Sequence, residues 1–194
     1  MTSSTSHADQ LMERVSRAQN LLRANRTQGL KALNDLFQSG TIPTPALNGS
    51  YSGKLIALDV APGLSQLVQG LLSAWMPWKG KTFNAANNQG DNVFQCSSWL
   101  LAHVLWPFYR GYQDDTPQTY RAFTFHTYIA PGKDDPDRQV LKIDYDVPGN
   151  PSASIRRVLD ELVQVQDGYY LGKAHLKWWW GKWQMVAYFS LRAS

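Results

Sequence analysis

Residues 154–192 constrain the fold more than any other stretch of the sequence. Asp167-Gly168 is a strong hairpin signal, because glycine readily takes the positive φ that a two-residue turn between antiparallel strands requires. Residues 154–162 also show helical spacing, but the hairpin signal favours a strand from about Leu159 onward. We therefore predict an antiparallel meander of three strands, over residues 159–166, 169–178 and 183–192.

Helices are predicted ahead of this meander. Residues 8–38 carry apolar residues at helical spacing with arginines between them, and residues 63–75 show the clearest helical spacing in the chain. Pro62 suits the first position of the second helix, where its missing N–H costs nothing. A membrane-surface helix over residues 8–38 is one interpretation. A helix that packs on a sheet is the favoured one.

Two segments in the middle of the chain are typical of strands. Residues 120–129 are rich in tyrosine, phenylalanine and threonine, and residues 140–147 alternate between apolar and polar residues. The inner face of the second segment is predicted to carry Leu141, Ile143, Tyr145 and Val147. Strict alternation in the first segment puts Arg121, Phe123, Phe125, Thr127 and Ile129 on one face and Tyr120, Ala122, Thr124, His126 and Tyr128 on the other.

The region between these strands and the first helices is harder to assign. Residues 50–58 are predicted to form a first strand, residues 78–83 a turn into another strand, and residues 84–92 a loop rich in asparagine, glutamine and glycine. Residues 94–112 include an almost entirely apolar run, which is interpreted as a short buried helix. His103 in that run is expected to be a core residue.

No motif in the sequence identifies a catalysed reaction. The sequence contains no phosphate-binding loop, no dinucleotide-binding glycine pattern and no histidine or cysteine pair at metal-ligand spacing, so no metal site is predicted. Cys96 is the single cysteine and is expected to be buried and structural. Asp160 and Glu161 are adjacent, so on a strand they point to opposite faces and cannot form a carboxylate pair. A small enzyme or haem protein using His126 and Asp144 stays an alternative.

The tryptophan-rich turn is the clearest candidate for a contact surface. Eight tryptophans are many for 194 residues, and the residues at issue are Trp178, Trp179, Trp180, Lys182 and Trp183. Three consecutive tryptophans cannot all point one way along a strand, so at least one is expected to face solvent or a partner. Tryptophan beside lysine suits a membrane interface. Two alternatives stay open: the N-terminal helices cover these rings, or the rings mediate self-association.

The charge and the lack of recognised targeting signals limit the classes of partner and the cellular location that we expect. The net charge of +4 is mild and acids are spread over the chain, so nucleic acid is not expected as a partner. No secretory signal or membrane-spanning apolar run is recognised, and a single cysteine fits a reducing compartment. The expected location is cytoplasmic, with peripheral membrane contact as a further expectation.

The predicted strands favour a bent antiparallel sheet or a barrel, and small barrels often hold one ligand. We predict an α+β fold with a helical segment over residues 1–40 and a β-barrel-like part over residues 41–194. The expected function is binding of a small apolar or amphipathic ligand, a lipid being one candidate. The residues predicted to line the site are Tyr51, Arg121, Phe123, Phe125, His126, Tyr145, Arg156 and Tyr170.

Short motifs add a family resemblance. Residues 49–53 read Gly-Ser-Tyr-Ser-Gly, a predicted helix follows, and residues 78–83 read Trp-Lys-Gly-Lys-Thr-Phe. This order resembles the N-terminal module of uncharacterised bacterial proteins named for a GxWxG motif. Residues 170–172 and 188–191 are similar to the closing strands of those proteins. The sequence departs from the pattern at Tyr51, where tryptophan is expected, and in its longer middle, residues 92–150. The resemblance implies a lipocalin-like β architecture and no assigned activity.

Overall fold

The computed structural model describes residues 7–59 and 77–193, with side chains described from residue 13 onward in the first range. Within these ranges the chain forms three α-helices and nine β-strands. The helices are α1 (His7–Ala24), α2 (Arg26–Gln38) and α3 (Trp99–Leu105). The strands are β1 (Gly49–Leu58), β2 (Trp78–Asn84), β3 (Gln89–Gln95), β4 (Gln113–Thr116), β5 (Thr119–Pro131), β6 (Gln139–Asp144), β7 (Val158–Gln166), β8 (Tyr169–Lys177) and β9 (Trp183–Ala193).

Eight of these strands close into an antiparallel barrel. The pairing runs from β1 through β2, β3, β5, β6, β7 and β8 to β9, and β9 pairs back with β1. β4 adds to β5 outside this circuit. Closure pairs the strand edges that an open sheet would leave unpaired. The predicted barrel with helices is therefore confirmed, whereas its likeness to lipocalins stays a prediction.

The N-terminal helices pack on the outer face of the barrel. Asn25 separates α1 from α2, and its side chain accepts a hydrogen bond from the Gln28 backbone nitrogen at 3.1 Å, which caps α2. The helical prediction for residues 8–38 is confirmed, with this break at Asn25. No helix in the described ranges is long and apolar enough to cross a membrane. The buried cluster between helices and barrel contains Val15, Ala18, Leu33, Leu36, Phe37, Val140, Val163, Tyr169, Leu171 and Tyr188.

The C-terminal meander is confirmed. β7, β8 and β9 match the three predicted strands within one or two residues, and Gly168 in the first turn has a φ of 68°. Leu141, Ile143 and Tyr145 all face the barrel interior, as alternation predicts, although β6 itself ends at Asp144. The predicted helix over residues 63–75 lies outside the described residues.

Several predictions for residues 84–112 are wrong. β3 begins at Gln89 within the predicted loop, and its polar residue Asn92 is hydrogen-bonded to Lys81 inside the barrel. The helix α3 exists, but most of its apolar side chains are exposed. His103 is half-buried, where its ring stacks on Tyr112 and its Nδ1 lies 2.9 Å from the Trp99 carbonyl oxygen. Cys96 is exposed rather than buried.

A bulge in β5 explains why strict alternation fails there. Phe123 has a φ of 58°, and the register against β3 shifts at this point, from Ala122 opposite Asn92 to Phe125 opposite Gly90. After the extra residue, the side chains that would have faced outward face the barrel interior, and the reverse. As a result Ala122, Phe123 and Phe125 are all buried in the barrel core, although alternation assigned Ala122 to the opposite face from the two phenylalanines.

Candidate functional site

Aromatic rings fill much of the barrel interior. Phe125 packs on Tyr145 and Phe83, and Tyr51 contacts Phe83 and Tyr170 edge to face. Five aromatic residues of the predicted ligand site, Tyr51, Phe123, Phe125, Tyr145 and Tyr170, thus belong to or pack against the interior cluster. Most of them act as packing residues, since they contact one another.

A buried polar cluster lies among these rings. The Lys81 Nζ atom lies 2.9 Å from Asp160 Oδ2 and donates a hydrogen bond to Asn92 Oδ1 at 2.9 Å. It also donates to the Tyr145 hydroxyl group. That hydroxyl lies 3.2 Å from Asp160 Oδ2, to which it can donate. Trp78 Nε1 donates to Asn92 Oδ1 at 3.1 Å. The cluster places an amine, a carboxylate, a phenol and an amide in mutual contact.

A glycine bulge brings Lys81 into the interior. The register of β2 against β3 shifts between Trp78 and Gly80, so both Trp78 and Lys81 face inward. Gly80 has a φ of 148°, and a Cβ atom there would lie 1.9 Å from the Tyr51 carbonyl oxygen. Only glycine fits this position without displacing the backbone of β1.

Burial dominates the electrostatics of the cluster. Burial lowers the pKa of Lys81, and the nearby Asp160 carboxylate opposes this effect. Burial also raises the pKa of Tyr145 well above its ordinary value, with Asp160 acting in the same direction. Lys81 Nζ lies within 5.4 Å of four ring centroids, those of Trp78, Phe125, Tyr145 and Phe189. When Lys81 is protonated, these rings stabilise its positive charge through cation–π interactions.

A cavity of about 80 Å³ adjoins this cluster. Its lining is mainly apolar, and its polar members are the charged pair Lys81 and Asp160 together with Ser154 and His175. Asp160 Oδ1 is buried and has no hydrogen-bond partner among the described residues. A buried oxygen of this kind normally has a donor, and Asp160 is one of the residues that line the cavity. The apolar residues of the lining include Leu55, Trp78, Ile155, Val158, Ala174, Leu176, Val186, Ala187 and Phe189.

The cavity lies toward one end of the barrel, which we call the cavity end. There β1, β3, β6 and β8 end, and β2, β5, β7 and β9 begin. Ser154 and Ile155 in the connection between β6 and β7 also line the cavity, and the Ser154 hydroxyl accepts a hydrogen bond from Trp106 Nε1 at 2.9 Å. The helix α3 and the tryptophan-rich turn follow strands that end here.

None of the eight residues predicted for the ligand site lines this cavity, and its three predicted polar residues have other surroundings. Arg121 lies near Asp91 and Asp115 at 3.6 Å, and Arg156 pairs with Asp146 at 2.6 Å. His126 is exposed. The prediction that Arg121, His126 and Arg156 line the ligand site is therefore not met at this cavity.

The residues of the enzyme alternative lie apart from the cavity as well. His126 stands opposite Asp144 in the β5–β6 register, and neither residue lines the cavity. Asp144 instead accepts hydrogen bonds from the Tyr128 hydroxyl at 3.1 Å and from the Asp146 backbone nitrogen at 2.9 Å. The pair is thus placed at the outer surface of the barrel.

A second polar cluster lies on the outer face, beneath the β5–β6 connection. Glu161 pairs with Lys142 there, which confirms that it points away from its neighbour Asp160. Lys173 pairs with Asp135 at 2.6 Å, and His175 Nε2 lies 3.1 Å from Asp134 Oδ2. The hydrogen bond from His175 lowers the pKa of Asp134, although partial burial opposes it. These contacts hold the connection against the barrel.

Exposed apolar side chains concentrate at the cavity end. Trp178 is buried and stacks on Trp180, whereas Trp179 is 68% exposed and Trp180 is 56% exposed. The N-terminal helices therefore do not cover these two rings in the described part of the chain. Phe108, just after α3, is 88% exposed. Leu100, Leu101, Val104 and Leu105 of α3 are exposed too.

Sequence reasoning missed Lys81, Asn92 and Asp160 as site residues. The sequence does contain a sign of the role of Asp160, because Asp160 lies on the same face of β7 as the apolar residues Val158 and Leu162. A carboxylate on an otherwise apolar strand face marks a buried polar site. Lys81 likewise shares a face with Phe83, two residues on.

Comparisons with known proteins support the fold alone. No family model matches the sequence, and no curated protein matches it either. A crystal structure of a protein from Thermomonospora curvata is similar, with a TM-score of 0.53 and 13% sequence identity, over 94% of this chain and 99% of that chain. The resemblance to GxWxG-motif proteins stays a prediction. In residues 7–59 and 77–193, no three histidine, cysteine, aspartate or glutamate side chains are grouped to hold a metal ion.

Proposed function

We propose that the protein binds a small, mainly apolar molecule in the barrel cavity, with a polar group of that molecule held by Lys81 and Asp160. The observation that carries this proposal is the apolar cavity whose wall contains a buried ion pair with one unpartnered carboxylate oxygen. Ligand sites typically combine apolar walls with a few convergent polar groups. A donor on the ligand would satisfy Asp160 Oδ1.

The size of the cavity limits the ligand. One water molecule needs roughly 10–15 Å³ of cavity volume. A cavity of about 80 Å³ therefore accepts a molecule of only a few heavy atoms. A short alcohol, acid or carbonyl compound fits entirely. A lipid-like ligand would place only its polar end or a short part of its chain here, and the rest would lie beyond the cavity.

Native mass spectrometry tests the proposal. The purified protein is measured before and after extraction with organic solvent, and a small molecule that is lost on extraction is expected. Ala187→Leu adds side-chain volume at a lining residue and keeps both Lys81 and Asp160, so this variant should carry less of the molecule. Ala32→Leu on α2 is the matched control, because Ala32 packs at the helix–barrel contact. Absence of a bound molecule in all samples, including samples incubated with short alcohols and acids, would contradict the proposal.

We also propose that the cavity end contacts an anionic membrane surface. The exposed rings of Trp179 and Trp180 support this, together with nearby Lys177 and Lys182 and the exposed apolar residues of α3. Tryptophan and lysine commonly sit together at the membrane interface. A ligand could then exchange between the cavity and the membrane over a short path.

Cosedimentation with anionic phospholipid vesicles tests the membrane contact. The double variant Trp179→Ser/Trp180→Ser should lose most of the binding seen for the wild type. Tyr128→Ser removes an exposed ring from β5 and should leave binding unchanged. Equal binding of all three proteins would overturn this contact. Light scattering that depends on protein concentration and on Trp179 would instead favour self-association.

A further inference from the structure

Lys81 differs from the other buried lysines of this protein. Lys142 and Lys173 are also buried and paired with carboxylates, but both lie on the outer face of the barrel. Lys81 lines the interior cavity, and its amine is within hydrogen-bond distance of Asp160, Asn92 and Tyr145. It therefore combines a primary amine with a space in which a small molecule can approach it.

The surroundings of this amine suit nucleophilic chemistry. Burial lowers the pKa of Lys81, which raises the share of the neutral amine that carries a free electron pair. Lysines activated by an apolar environment form imines with carbonyl compounds. An ion pair that served only to stabilise the fold would need no adjoining cavity.

Building on the ligand site proposed above, we infer that the ligand is a small apolar aldehyde or ketone and that Lys81 captures it as an imine. The Asp160 carboxylate and the Tyr145 hydroxyl are the groups that would move protons in this step. Both lie beside the amine nitrogen, and no second amine lines the cavity among the described residues.

The step balances without an oxidant or reductant. Lys81 first gives one proton to Asp160, and its nitrogen then attacks the carbonyl carbon to form a C–N bond. The electron pair of the C=O double bond moves to oxygen, which takes a proton from Asp160 or Tyr145. The nitrogen still carries two protons and passes one of them by way of Asp160 to the resulting hydroxyl group, which leaves as water as the freed nitrogen electron pair forms the C=N bond. In total, one protonated amine and one carbonyl compound give one protonated imine and one water molecule.

The unpartnered Asp160 Oδ1 fits an intermediate of this step. After the first addition, the former carbonyl oxygen is a hydroxyl group that needs an acceptor. Asp160 lines the cavity and its Oδ1 atom has no partner among the described residues, so we assign Oδ1 as the acceptor for that hydroxyl group, while Asp160 Oδ2 stays near Lys81 and Tyr145. The apolar walls exclude bulk water, which would otherwise hydrolyse the imine.

Reductive trapping tests this inference. The folded protein is treated with limiting butanal in the presence of sodium cyanoborohydride, digested, and mapped by peptide mass spectrometry. We expect Lys81 to be the main labelled lysine, with a mass increase equal to butanal less one oxygen. Its labelling should exceed that of exposed Lys31 and buried Lys142 at least tenfold. In guanidinium chloride the difference between these lysines should disappear.

Two controls separate the inference from the proposed function. Ala187→Leu and an excess of butan-1-ol should each reduce labelling of Lys81 at least tenfold and leave Lys31 unchanged. Labelling of Lys81 at or below the level of Lys31 would overturn the imine step. In that case, the binding of butan-1-ol is measured by calorimetry. If it binds the wild type saturably and does not bind Ala187→Leu, the ligand-site proposal is kept and only the imine inference is rejected. If neither binding nor labelling occurs, both proposals fail.

Discussion

The Lys81 amine nitrogen lies 2.9 Å from the Asp160 carboxylate inside the barrel, and each side chain is 1% exposed. Moving two charged groups out of water is costly, and their mutual attraction offsets this cost only with good geometry and further hydrogen bonds. Asn92 and Tyr145 supply such bonds on one side of the pair. The second oxygen of Asp160, Oδ1, has no hydrogen-bond partner in the described part of the chain.

Lys81→Met should destabilise the protein strongly. The change leaves Asp160 as an uncompensated buried charge, which typically costs about 3–5 kcal/mol of unfolding free energy. The double variant Lys81→Met/Asp160→Leu removes both charges and should recover most of this loss. Chemical denaturation measures both. Equal stabilities for the single and the double variant would show that the pair is not electrostatically coupled.

Gly172→Ala should also destabilise the protein. Gly172 pairs across the strands with Phe189, and a Cβ atom at this position would lie 2.2 Å from the Phe189 ring. The ring lines the cavity, so its displacement should narrow the ligand site and cost about 1–3 kcal/mol. Gly149→Ala is the matched control, because nothing lies within 4 Å of its added Cβ atom. Thermal unfolding that is the same for both variants would contradict this packing.

The acid dependence of stability should involve Asp134. The pKa of Asp134 is lower in the folded protein than in the unfolded chain, chiefly through the hydrogen bond from His175. A lowered carboxyl pKa stabilises the folded state above the unfolded value of about 3.9, and this contribution is lost as the pH falls through the folded pKa. Denaturation of Asp134→Asn from about pH 2 to about pH 6, roughly two units either side of the unfolded value, should show a deficit in unfolding free energy against the wild type that shrinks below about pH 4. A deficit that does not vary with pH would rule out this contact as the cause.

The sequence specifies the C-terminal half of the barrel well, because its signals are local. Asp167-Gly168 defines the turn, and the alternation in residues 140–147 assigns Leu141, Ile143 and Tyr145 to the inner face. The same local rules fail in β5, where Phe123 adopts a positive φ and shifts the phase. Whether a strand contains such a bulge depends on its partner strand, which alternation alone does not reveal.

The candidate site was harder to predict because its members are far apart in sequence. Lys81, Asn92, Tyr145 and Asp160 come from four strands or their ends, and only barrel closure brings them together. Of these, Tyr145 was predicted as an inner residue, and the other three have polar side chains that are usually assigned to solvent. The exposed apolar residues of α3 were missed for the opposite reason, since an apolar run is usually buried.

A high-resolution crystal structure of the protein purified without organic solvent, or soaked with a short alcohol, tests the central claim most directly. We predict electron density for a small molecule in the cavity, with a polar atom within hydrogen-bond distance of Asp160 Oδ1 and Lys81 Nζ and an apolar part against Ala187 and Phe189. A cavity filled by the protein's own side chains, or one that holds only water under both conditions, would contradict the claim.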